Sequence, residues 1–177
     1  MPLLRELLAL IKHNKYIKYV LYIMLYTVLH FSFASFIAIE NVSPDIFLIF
    51  VVWLSIKEGR LFGILSGFVI GLYLDFVSGD IMGINALTKT IIAFIAGKFH
   101  KKDAIKQIIN EYKFIFVVLI CSITHNLIYF LFSINISEQS FILYYLRYSL
   151  ASTLYTTFIS TFSYIFQLSR NRIRYYS

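Results

Sequence analysis

Apolar residues along this chain fall into long blocks separated by short polar or charged stretches, and each block predicts a helix. The blocks run from about Ile17 to Ile39, Pro44 to Lys57, Leu61 to Ser78, Ile84 to Phe99, Phe114 to Ile134, and from about Phe141 or Leu146 to Leu168. Eighteen residues, as from Leu61 to Ser78, cover roughly 27 Å at about 1.5 Å each, enough to cross most of a bilayer core. Ahead of them, MPLLRELLALIK sets Leu3, Leu4, Leu7, Leu8 and Ile11 on one side of a helix against Arg5, Ala9 and Lys12, the pattern of a helix lying on a membrane surface. The predicted fold is an all-α integral membrane protein with six transmembrane helices. It forms one domain: residues 1–14 interfacial, 15–169 a six-helix bundle, and 170–177 a basic tail.

Two blocks depart from the plain pattern. Ser43-Pro44-Asp45 reads as a helix start, with a capping side chain, a proline at the first helical position and an acid near the positive dipole end. The helix it opens spans only about 20 Å, so its outer end is expected below the membrane surface, opening a depression or thinning the bilayer. The third block carries a series in which every fourth residue is special: Gly59, Gly63, Gly67, Gly71, Asp75, Gly79 and Gly83. Glycine weakens a helix in water by about 1 kcal/mol, but between helices in lipid it lets backbones approach closely. Gly63, Gly67, Gly71, Asp75, Gly79 and Gly83 are therefore the candidate packing and partner-binding positions.

Composition fits spans and leaves little for a soluble domain: 59% hydrophobic, 14% charged, mean hydropathy +0.76. The net charge of +7 does not point to nucleic acid, because fourteen of the sixteen Lys and Arg fall on one side of the predicted topology. The loops on the other side hold Glu40, Asp45, Asp80 and Glu138, so both termini are expected in the cytoplasm. The first block is too long for a signal-peptide core and is read as retained. Cys121 is the single cysteine, which excludes an internal disulfide.

Asp75 is the residue with most chemistry to explain, since a carboxylate inside a span costs at least about 2.5 kcal/mol at the bilayer centre unless paired or wetted. Lys89 is expected at similar depth on the antiparallel neighbour, predicting an Asp75–Lys89 ion pair, with the start of helix 4 as the alternative partner. Either pairing fixes the hairpin; a further role, organising the outer depression for a partner or ligand, stays open. His30 and His125 share a predicted depth and read as structural, hydrogen-bonded histidines, with Thr124 and Asn126 as polar glue. Ser66-Gly67 after Gly63 gives G-x-x-S-G where an intramembrane serine protease wants G-x-S-G, so Ser66 reads as a small packing residue. No phosphate-binding loop, nucleotide fingerprint or catalytic carboxylate pair is present, and the chain is read as non-enzymatic, without cofactor or metal.

These features in this order, Pro44-Asp45 opening a short second helix, a charged turn at Lys57 to Arg60, then GFVIGLYLDFVSGDIMGINAL from Gly67 to Leu87, resemble the rod-shape-determining MreD family. The pattern G-L-x-x-D-x-x-S-G-x-x-x-G is the most specific portion, mapping Gly71, Asp75, Gly79 and Gly83, with Gly67 a turn earlier; Lys89 lies outside it. The resemblance implies a multi-pass protein of the bacterial inner membrane that supports lateral peptidoglycan synthesis and cell shape. It implies binding to the single-span protein MreC, and through it proximity to a class B penicillin-binding transpeptidase, RodA and MreB, with a basic cytoplasmic surface facing anionic lipid. The competing reading is the substrate-binding subunit of an energy-coupling-factor vitamin transporter, a six-helix fold to which MreD is expected to be similar. Ala34-x-x-x-Ala38 resembles the docking motif of those subunits, but helices 4 to 6 lack a vitamin-binding cluster of Trp, Asn, Arg and Glu at their outer ends.

Overall fold

The computed structural model describes residues 14–37, 43–79, 81–101, 112–133 and 148–161. The expected surface helix, the basic tail, Glu40, Asp80, Glu138, Arg147 and the side chains of His30, Ala34 and Ala38 lie outside the described residues. Among those described there are six helices and no strand. They are α1 Lys15–Ile37, α2 Ile46–Glu58, α3 Arg60–Ser78, α4 Ile84–Gly97 and α5 Tyr112–Ser133, followed by α6 at residues 148–161. The chain forms two compact units, Met1–Ile37 and Ala38–Ser177.

The first unit holds α1, whose start is capped by the Asn14 side chain accepting the Tyr16 N–H at 3.0 Å. The second unit is built around α2, which is apolar almost throughout and correspondingly buried: Phe47, Leu48, Val51, Val52, Leu54 and Ile56 are at most 2% exposed. Its Leu48, Val52 and Ile56 meet Ile92 and Ala96 of α4 and Phe114, Val117, Val118 and Cys121 of α5 in one core cluster, with Ile159 of α6 at its edge. The cap of α2 is Asp45, not Ser43: its carboxylate accepts the Leu48 N–H at 2.8 Å, which moves Pro44 to the position before the cap. At the other end, Gly59 alone separates α2 from α3, at φ 100° and ψ 168°, a conformation open in practice only to glycine.

Among the described residues, two helices are long and apolar enough to cross a membrane, Arg60–Ser78 and Tyr112–Phe132, by length and composition. In α3 the arrangement is the reverse of a soluble helix. Gly63, Gly67, Gly71 and Asp75 face inward, while Leu61, Leu65, Phe68, Val69 and Phe76 are 48–78% exposed. Bulky apolar groups outside and Ser55, Asp75, Asn85, Thr88, Lys89 and His125 inside suit a hydrocarbon surround, where polar groups must find partners within the protein.

Candidate functional site

The glycine series is consumed by the α3–α4 hairpin and by α2. A methyl group added at Gly67 would lie 2.7 Å from the Lys89 carbonyl oxygen, and at Gly71 it would meet Ala86 Cα and the Asn85 oxygen, all backbone atoms of α4. At Gly63 it would run into Ser55 of α2. These three positions therefore act in packing within the chain, and their face is not free to receive a partner helix as expected from sequence. Gly79 and Gly83 do different work. Both have left-handed backbone, φ 71° and 97°, and nothing within 4 Å of an added methyl, so they serve the turn between the helices.

Asp75 does not pair with Lys89. Its Oδ2 accepts the backbone N–H groups of Gly83 at 2.9 Å and Ala86 at 3.1 Å, and its Oδ1 accepts that of Asn85 at 2.9 Å. Gly83, at the N-cap position of α4, has no side chain to offer, so a carboxylate from the neighbouring helix caps α4 in its place. This is the alternative partner that the sequence left open. Negative charge at a helix N-terminus is favoured by the dipole as well as by the three hydrogen bonds. The motif G-L-x-x-D-x-x-S-G-x-x-x-G thus encodes a hairpin: close approach at Gly71, a cross-helix cap from Asp75 and a glycine turn closing it.

Lys89 instead reaches Asp45. Its Nζ lies 2.7 Å from Asp45 Oδ2, with the Lys89 side chain 1% exposed and that of Asp45 19% exposed. The cap explains the pairing: with Asp45 rather than Ser43 at the start of α2, its carboxylate stands level with a lysine more than one turn into α4. His125 of α5 approaches the same oxygen, Nε2 to Oδ2 at 3.3 Å. From α6, the Thr156 hydroxyl accepts the Asp45 N–H at 3.0 Å. Asn126 next to His125 donates to the Ser149 carbonyl at 3.1 Å and to Thr153 Oγ1 at 2.8 Å. Asp45 thereby ties together four helices: its carboxylate meets α4 and α5, and its backbone N–H holds α6 to the start of α2. His125 Nδ1 is buried without a hydrogen-bond partner, and the ring lies 5.8 Å from that of Tyr129. His125 is therefore a structural neighbour of the ion pair with spare hydrogen-bonding capacity, rather than the satisfied histidine expected.

Among the described residues no three His, Cys, Asp or Glu side chains are grouped to hold a metal ion. The Ser66 hydroxyl donates to the carbonyls of Phe62 and Gly63 in its own helix, the habit of a small packing residue. What the Asp45 cluster can do chemically is hold a compensated charge pair at the end of the bundle where Asp75 and the Gly79–Gly83 turn also lie. At the opposite end, His100 Nδ1 is 2.7 Å from the Ile56 carbonyl oxygen, closing the last turn of α2. Sequence reasoning missed the Asp45, Thr156 and His100 contacts. Only the first had a usable signal, in the shortness of α2.

A family model described as MreD, rod shape-determining protein MreD, matches residues 13–169. No curated protein and no solved structure matches the chain, so the expected likeness to the transporter subunit has no solved structure behind it.

Proposed function

The chain belongs to the MreD family of rod shape-determining proteins, and from that premise we propose that it is a non-enzymatic scaffold that holds MreC at the inner membrane. Membership itself gives a role in rod shape determination in a membrane protein family; the proposal concerns how the role is performed. In this reading the chain crosses the membrane six times with both termini in the cytoplasm. It supports lateral peptidoglycan synthesis by bringing MreC near the class B transpeptidase and RodA outside and MreB inside. The family match over nearly the whole chain is the observation that carries this.

In this reading MreC docks at the turn that joins α3 and α4. Gly63, Gly67 and Gly71 are filled by α2 and α4, which supports a docking position away from the glycine stripe; the proposed one is the turn, read as the outer end, where Ile81 and Met82 are 62% and 68% exposed. The segment of MreC just outside its membrane helix is the proposed occupant. Ile81→Glu and Met82→Glu replace exposed side chains that support no core packing. They are expected to abolish co-purification of MreC while leaving the thermal stability of the detergent-solubilised protein unchanged. Undiminished MreC recovery from both variants would overturn this docking site, and vitamin binding without MreC would point to a transporter subunit instead.

A further inference from the structure

At the Gly59 end of the hairpin, two cations share one aromatic ring. The Arg60 guanidinium carbon lies 3.8 Å from the Phe94 ring centroid and Lys98 Nζ lies 5.1 Å from it, placing the two charges within about 9 Å of each other. Neither is within ion-pair distance of a carboxylate among the described residues, and α3 carries no acid in its first turn. The arrangement is built into the backbone. A methyl group at Gly97 would lie 2.7 Å from Arg60 Cα and 2.8 Å from its Cβ, so only glycine lets the start of α3 come down onto the end of α4 and lay Arg60 over Phe94. One turn back along the chain, Lys57 Nζ sits 4.3 Å from the Trp53 ring. Following Arg60 along α3 are Leu61 and Leu65, 74% and 60% exposed.

We propose that Arg60 and Lys98, held on Phe94, form a binding site for the phosphate of one anionic phospholipid, whose acyl chains lie along Leu61 and Leu65. Two like charges gathered on a single ring, with no carboxylate ion-paired to either among the described residues, repel each other, and a phosphate between them removes that cost while offering acceptors to both. A guanidinium suits phosphate by its planar fork, and an ammonium adds a point charge. Leu61 and Leu65 continue from the cations as an apolar strip, which selects a lipid over a free anion. The site depends on no protein partner and stands or falls separately from MreC binding.

The test is native mass spectrometry of the full chain in detergent with phosphatidylglycerol, phosphatidylcholine or inorganic phosphate added. One phosphatidylglycerol is expected to stay bound per chain, with phosphatidylcholine and free phosphate at background. Each cation is worth about 1 kcal/mol near a membrane surface, about fivefold, so Arg60→Gln or Lys98→Gln should weaken retention about fivefold and the double variant about 25-fold. The charge-preserving Arg60→Lys and Lys98→Arg variants should keep most of it. Should the double variant fail to fold, salt supplies the readout: raising ionic strength should release phosphatidylglycerol from the wild type. Equal retention of phosphatidylglycerol and phosphatidylcholine, retention indifferent to both salt and the substitutions, or phosphate binding as tightly as the lipid would each overturn the proposal.

Discussion

Replacing Asp45 with Asn would leave the Lys89 ammonium, 1% exposed, with no carboxylate within reach, because Asp45 is its ion-pair partner. Removing one side of a buried pair costs about 3–5 kcal/mol, most of it the penalty of the stranded charge. Coulomb attraction across about 4 Å at an effective dielectric near 20 gives about 4 kcal/mol, in the same range. Lys89→Met should cost less, about 1–2 kcal/mol, since Asp45 is 19% exposed and keeps the Leu48 N–H. The double variant strands no charge, so its loss should fall short of the sum by about 2–3 kcal/mol. The assay is equilibrium unfolding of the detergent-solubilised protein, run as a double-mutant cycle. A parallel cycle of Asp75→Asn with Lys89→Met should be additive within about 0.5 kcal/mol. Coupling in that second cycle and none in the first would refute the assignment of Lys89 to Asp45.

Asp75→Asn should itself cost about 2 kcal/mol or more, because an amide cannot accept three N–H bonds as the carboxylate does; the unfolding midpoint of the same preparation reads it. Gly71→Ala forces a methyl against rigid backbone atoms of Ala86 and Asn85 and should cost about 3 kcal/mol or more, whereas Gly79→Ala meets nothing and should cost only the left-handed backbone penalty, about 1–2 kcal/mol. If the two alanine variants unfold alike, the close approach at Gly71 is not what that glycine is for. His100→Ala removes the bond to the Ile56 carbonyl and should lower stability by about 1 kcal/mol, with amide exchange near the end of α2 rising first.

The α3–α4 hairpin was legible because its determinants are local and periodic. Gly67, Gly71, Asp75, Gly79 and Gly83 recur at one spacing within a single stretch, and each acts on the helix or turn beside it. Its place inside an apolar helix shows that Asp75 needs a partner, but an ion pair with Lys89 and a cap on α4 satisfy a carboxylate equally well on paper. The choice rests on where Lys89 points. That is decided by Asp45, forty-four residues away in sequence, and pattern reading does not reach across that separation. The shortness of α2 contained the answer in part, since it puts the capping acid of α2 and Lys89 of α4 within reach of each other. Ser43 and Asp45 are both good caps two residues apart. The Thr156 hydroxyl on the Asp45 N–H fixes the chain in the arrangement where Asp45 caps. His100, isolated in a basic stretch, carried no signal at all.

The position of α2 also constrains how a partner can be held. Thirteen residues give a rod of about 20 Å, too short to reach both faces of a bilayer, and both of its ends are closed by distant residues: Asp45 by Lys89 and Thr156, the Ile56 carbonyl by His100. Against this fixed rod α3 sets its glycines, and α4 fills the groove they leave. A partner helix seeking the glycine stripe would have to expel α4, breaking the Asp75 cap and the backbone contacts at Gly67 and Gly71. Between Arg60 and Ser78 at its ends, the outward face of α3 offers large apolar side chains, which attract a helix little better than they attract lipid. On α3, affinity for a protein partner over lipid would therefore come from its ends, where polar groups and an exposed turn distinguish protein from acyl chain.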